Sequence, residues 1–250
     1  MFFPHNPLVN PLTAVVRPPI TFYFHSSRSL ASVAAMPSSS APGEQFETRQ
    51  VGQTGDWKPD PSKSIPLPAN RQRLIDDIIA LYSCQPTIER VKRYTPDCVY
   101  DDQFVYANDR YKMAGQWFAL PKLFDKSENV GYQIVKNEPE LIQFYNEQSW
   151  TFRGIPKTAT INALVSLSLD PATEDSDFIQ VKYHKDQANE KDYSHKGLGF
   201  YFKKWQADHV SDFMSNNADV QTFKNDAGDH LHEDVKTYKD GMSETQDGTK

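Results

Sequence analysis

The sequence predicts an α+β fold: a cone-shaped, curved antiparallel sheet, three helices from the N-terminal side packed on its concave face, and one extra C-terminal helix. Three observations predict it. Helical apolar spacing is concentrated before about Lys126, and four runs of two-residue alternation follow between residues 129 and 186. The breaks between those runs, Glu138-Pro139, Gly154-Ile155-Pro156 and PATEDS, are short. Helices followed by long strands joined by tight turns make a layered α+β domain.

The first helix is NRQRLIDDIIALYSC, where Leu74, Ile75, Ile78, Ile79 and Tyr82 form one apolar stripe and Asn70 is placed to cap. Gln85-Pro86 restarts the chain. Pro86 suits a first helical position, and Ile88 and Val91 continue a short second helix that must end before Pro96. CVYDDQFVYA alternates as a tight pair of strands. In DRYKMAGQWFALPKLF the helical period returns, with Met113, Trp117, Leu120 and Phe124 on one side, Asp109 as the cap, and Pro121 expected to kink or end the helix. NVGYQIVKN, ELIQFYNEQSWTFRG, TATINALVSLSLD and DFIQVKYHKD are the four long strands, an antiparallel meander. The extra helix starts near Gly197, with Phe200, Phe202, Trp205, Val210 and Phe213 as its apolar weight.

These elements place one domain at residues 69–215. Residues 46–68 read as a Pro-rich linker and residues 216–250 as a disordered polar tail, in which His230 and His232 are solvated. Residues 1–45 read as disordered; they are acid-poor and carry arginine and serine, which matches an organelle transit segment, a disordered tail, or a lead-in to a start at Met36. The expected location is mitochondrial in the first case and cytoplasmic otherwise. No apolar run is long enough to span a membrane. A net charge of −6 argues against nucleic-acid binding, which needs a basic face for phosphates. Cys84 and Cys98 read as reduced core thiols. Without a zinc signature, a phosphate loop or a nucleophile elbow, no metal and no cofactor is expected.

The stretch YTPDCVYDDQFVYANDRYKMAGQWFALPKLF resembles the SnoaL-like and ketosteroid-isomerase-like families of the nuclear-transport-factor-2-like superfamily, in which a second helix runs into an acidic strand and then a third helix. The resemblance implies a sheet wrapped around a pocket, with a carboxylate at the end of the first strand, where ketosteroid isomerases keep a general base. Asp102 matches that position, although Gln103 stands where proline is usual. On an ideal strand Cys98, Tyr100 and Asp102 share one face and Asp101 points the other way. Asp102 is therefore either a pocket base or a turn-forming or helix-capping carboxylate.

Tyr100, Trp117 and Phe144 are the expected apolar pocket residues. Asn146 and Gln148 interrupt the apolar face of Ile142, Phe144, Trp150 and Phe152, as a polar handle for a ligand or as a satisfied core network. In YHKD, His184 and Asp186 share a strand face, as a base with its orienting partner or as two metal ligands. Because Ile179, Val181 and Tyr183 form the apolar face, Tyr183 is assigned to the pocket and His184 to a surface or helix-facing role. The expected function is to hold a small apolar or oxygenated ligand, without catalysis and with homodimerisation through the sheet. The alternative is a cofactor-independent isomerase, dehydratase or cyclase using Asp102 as general base, with Tyr100, Asn146 or Tyr183 polarising a substrate oxygen.

Overall fold

A computed structural model describes residues 42–48, 57–154, 157–188 and 206–228. The expectations for the leader up to residue 41, for a helix start at Gly197, and for His230 and His232 lie outside them.

Helix α1 (Ala69–Tyr82) buries the predicted stripe of Leu74, Ile75, Ile78 and Tyr82. Asn70 lies inside its first turn rather than at the cap, and its side-chain amide donates to the Ser176 carbonyl at 3.0 Å. The short α2 (Ile88–Val91) is capped by Thr87, whose hydroxyl accepts from the Arg90 N–H. Strands β1 (Tyr94–Asp101) and β2 (Tyr106–Ala107) are the predicted tight pair. Helix α3 (Arg110–Leu123) is capped by Asp109, which accepts from the Lys112 N–H at 2.8 Å. Pro121 does not end α3: it falls in the last turn, where the backbone bond it removes is outweighed by burial of Trp117, Phe118 and Ala119 just before it.

Four long strands follow: β3 (Phe124–Glu138), β4 (Leu141–Phe152), β5 (Thr158–Leu169) and β6 (Val181–Ala188). Phe124, assigned to the helix from its spacing, already belongs to β3. The sheet order is β2-β1-β6-β5-β4-β3. Strands β3 to β6 form the expected antiparallel meander, but β1 pairs with β6 in parallel, so the sheet is mixed. Alternation along a strand fixes faces and says nothing about direction relative to a strand far away in sequence.

Two stretches expected to be irregular are built into the sheet or its helices. Part of the presumed linker is fastened along the β3 edge: the Ile65 N–H donates to the Ile134 carbonyl at 3.0 Å, the Asp60 N–H donates to Gln133 at 2.8 Å, and Trp57 is buried. Farther upstream, residues 42–48 cross β1, where a Cβ on Gly43 would stand 2.1 Å from the Asp97 carbonyl oxygen, so glycine is required.

At the C-terminal end, residues 206–213 are helical (α4) and are followed by α5 (Ala218–Gln221). Helix α4 approaches α3 so closely that a Cβ on Gly115 would lie 2.8 Å from the Ser211 hydroxyl. Val220 and Phe223 are buried, and Arg110 pairs with Asp226 at 2.7 Å. Residues 217–226 of the presumed tail are therefore held against the domain by two buried apolar side chains and one charge pair.

Candidate functional site

The face of the sheet turned toward α1 and α3 changes character along its length. At one end Ile142, Phe144, Val165 and Leu167 fill the space under the helices. One row farther along, Asn146 pairs with Ala163 and Ala163 with Ala188, while Trp150 pairs with Ala159. Three alanines in place of branched side chains leave a cavity of about 330 Å³, roofed by Tyr82, Tyr100, Trp117 and Leu120. Phe104 and Phe152, both partly exposed, stand at its lining's outer edge.

Of the residues expected in the pocket, Tyr100, Asp102, Trp117, Asn146 and Gln148 line this cavity. Phe144 is fully buried one row deeper, edge-on to Tyr132 in the solid core. Tyr183 is on the opposite face of the sheet, with Val99 and Tyr106, and its hydroxyl donates to Asp101 at 3.2 Å. The cause is a bulge in β6: Val181 faces Leu169 and Tyr183 faces Ser168, so Lys182 is an extra residue and the alternation reverses across it. Of the two roles assigned to His184, the surface one is overturned for the same reason, and the helix-facing one is kept on the side of the sheet that carries the pocket. His184 is fully buried beneath α1, and Asp186 and Ala188, next on that face, line the cavity.

Asp102 holds the turn between β1 and β2. Its Oδ1 accepts from the N–H groups of Phe104 and Val105, each at 2.6 Å, and its Oδ2 accepts from the Tyr100 hydroxyl at 3.0 Å. The carboxylate thus borders the cavity while fastening its wall. The amide pair is tied to β3: Asn129 Nδ2 donates to Asn146 Oδ1 at 2.6 Å, and Gln148 Nε2 donates to the Ser127 hydroxyl at 2.7 Å. Both amides are therefore anchored for at least one of their polar atoms, as buried amides must be.

The chemistry concentrates at Asp186. The Tyr82 hydroxyl donates to Asp186 Oδ2 at 2.6 Å, and Asp186 Oδ1 is buried without a hydrogen-bond partner. Burial pushes this carboxyl up to about 7; the Tyr82 bond opposes the rise, and the charges of Asp102 and Asp101 add to it. Behind Tyr82 lies His184, whose Nε2 is 2.9 Å from the Tyr82 hydroxyl and whose Nδ1 is 2.8 Å from the Tyr94 hydroxyl. Burial pulls His184 down to about 3, so the ring is neutral at ordinary pH, and burial likewise keeps both tyrosines protonated. The Tyr94 ring stacks on the imidazole at 6.0 Å, and Tyr100 meets it edge-on at 4.9 Å. A carboxyl that changes protonation near neutral pH beside an apolar cavity is suited to moving a proton.

Asp186 was visible in the sequence as half of YHKD, but the bulge sent that pair to the wrong face. Tyr82 was read only as part of an apolar stripe, and the destination of its hydroxyl is not encoded in helical spacing. Among the described residues, no cluster of three or more His, Cys, Asp or Glu side chains is arranged to hold a metal ion, and no helix is long and apolar enough to cross a membrane.

No protein-family model and no curated protein matches the sequence. Among solved structures, the chain is similar to a protein of ketosteroid-isomerase-like fold from Catenulispora acidiphila, in complex with trimethylamine, at 11% identity and TM-score 0.37 over 45% of this chain and 82% of that one. It is similar to an NTF2-like protein from Anabaena variabilis at 9% identity and TM-score 0.41, covering 49% of this chain and 88% of that one. A third, an NTF2-like protein of unknown function from Burkholderia pseudomallei, is 11% identical with TM-score 0.38 over 50% of this chain and 93% of that one.

Proposed function

We propose that the chain binds a small, largely apolar molecule bearing an oxygen function, in a cavity around which the sheet curves. We further propose that Asp186 exchanges a proton with that molecule in a cofactor-independent isomerisation or dehydration. One observation carries the reading: Asp186, a half-buried residue of the cavity lining, has one oxygen held by Tyr82 and the other buried without a hydrogen-bond partner. An unsatisfied buried acceptor costs free energy unless a ligand supplies the missing bond. The general-base role that the resemblance implies for Asp102 passes to Asp186 in this reading, since three donors already occupy Asp102 as a turn element.

Mass spectrometry of the purified protein should detect a retained small molecule. Incubating that molecule with the protein in D₂O should then incorporate deuterium at a carbon next to its oxygen function. Asp186→Asn should retain the molecule and slow incorporation by at least ~10²-fold, the usual contribution of a positioned acid or base. A molecule retained but never exchanged or converted by the wild type would leave a non-catalytic binding protein and overturn the enzymatic reading.

A further inference from the structure

We infer that Tyr94, His184 and Tyr82 form a one-directional positioning relay that fixes which oxygen of Asp186 carries the proton. The inference rests on Asp186 being the working acid of the cavity. The relay joins three elements: Tyr94 opens β1, His184 and Asp186 sit on β6, and Tyr82 ends α1.

Donor accounting sets the direction. The acceptor within reach of the buried Tyr94 hydroxyl proton is His184 Nδ1 at 2.8 Å; the Trp117 indole beside the hydroxyl can only donate to it. Its proton is satisfied only when Nδ1 is the bare, accepting nitrogen. The single proton of the neutral imidazole is then on Nε2, which donates to the Tyr82 oxygen at 2.9 Å. The Tyr82 proton, displaced from the His184 side, goes to Asp186 Oδ2 at 2.6 Å. In the reverse arrangement Nδ1 bears the proton, two donors meet between Tyr94 and His184, and the buried Tyr94 hydroxyl loses its acceptor. Every link in the forward direction joins one donor to one acceptor.

The consequence falls on Asp186. Oδ2 permanently receives the Tyr82 proton, so a proton taken up by the carboxyl resides on Oδ1, the oxygen without a protein partner. The relay therefore leaves a proton donor, or after ionisation a bare acceptor, on the inner oxygen of a residue that lines the cavity. It suits a substrate with a carbonyl or departing hydroxyl oxygen, either of which accepts a proton. The groups that set the titration of Asp186 are Tyr82 from α1, Asp101 at the end of β1, and Asp102 in the turn after it.

The test uses the full chain without any ligand, so it is separable from the question of turnover. Nitrogen-15 NMR of the His184 ring should show the Nε2–H tautomer, unprotonated down to about pH 4. Infrared difference spectra against Asp186→Asn should show a protonated carboxyl that titrates near neutral pH. Tyr94→Phe, which removes the first donor without touching the cavity lining, should populate the Nδ1–H tautomer, divert the Tyr82 proton to Nε2 and raise the Asp186 midpoint. A purely structural role for Tyr94 would lower stability and leave both tautomer and midpoint unchanged. That result, or an Nδ1–H tautomer in the wild type, overturns the relay. Failure of the proposed function appears elsewhere, as a retained molecule that Asp186 never exchanges.

Discussion

The two faces of β6 bury charge by opposite strategies. On the outer face, Lys185 is 2% exposed and lies 2.5 Å from Glu47 and 4.0 Å from Asp101, while Asp101 also accepts from Tyr183. On the inner face, the next residue, Asp186, has one neutral donor and no cation within ion-pair distance among the described residues. The outer cluster sets a cation between two carboxylates and reads as architecture. The inner carboxyl is left half satisfied beside a cavity, as expected of a group whose partner arrives from outside.

The largest expected effect comes from breaking the outer face. Lys185→Met removes the ammonium that lies between Asp101 and Glu47 and should cost about 3 to 5 kcal/mol in chemical denaturation, as removing one partner of a buried pair does. A change under about 1 kcal/mol would show that this cluster is hydrated rather than architectural.

Asp186→Asn should act in the other direction. The folded carboxyl titrates at about 7 against an ordinary 3.8, so the fold binds the proton more tightly than the unfolded chain. Its contribution to stability is full below about pH 4 and is lost as pH rises through 7. Above pH 7, Asn should therefore stabilise the protein by about 2 to 4 kcal/mol, taking the shift at about 1.4 kcal/mol per unit. A destabilised variant at pH 8 would contradict the unpaired reading of this acid.

His184 supplies the opposing slope. Its proton affinity is lowered by folding, from 6.5 to about 3, so its contribution is complete above pH 6.5 and falls away on acidification. Between about pH 4 and 6.5 these two groups offset each other. Asp186→Asn should uncover a loss on acidification of up to ~1.4 kcal/mol per pH unit relative to wild type, readable from thermal unfolding across that window.

The smallest effect is expected at Asp102. Asn can accept the same turn bonds, so Asp102→Asn should change stability by less than about 1 kcal/mol. Ligand exchange should change only a few-fold; a loss comparable with that of Asp186→Asn would return the acid to the end of β1.

Much of the fold was legible because spacing within a segment is local information. The stripe of α1, the Asp109 cap and the alternation of β4 all survive in the structure. Asn146 and Gln148 stood out as amides on an apolar face, and both reach the cavity. The site acid was not legible as such. Lys182 adds one residue to β6, and counting by twos from Ile179 then exchanges the roles of Tyr183 and His184. The parallel join of β1 to β6 and the partner of the Tyr82 hydroxyl depend on contacts between distant segments, which periodicity does not record.

That parallel join also bears on when the site comes into being. Tyr82 and His184 are 102 residues apart, and β1 meets β6 only after the whole meander has been made. Closing so long a loop is entropically costly before any contact rewards it, so pairing of β1 with β6 belongs late in folding. Until then the chain has one wall of its cavity missing, an unaccompanied imidazole, and β6 open along its edge. The step that completes the sheet is therefore the same step that joins Tyr82 to His184 and Asp186, and a chain interrupted before residue 188 would have neither.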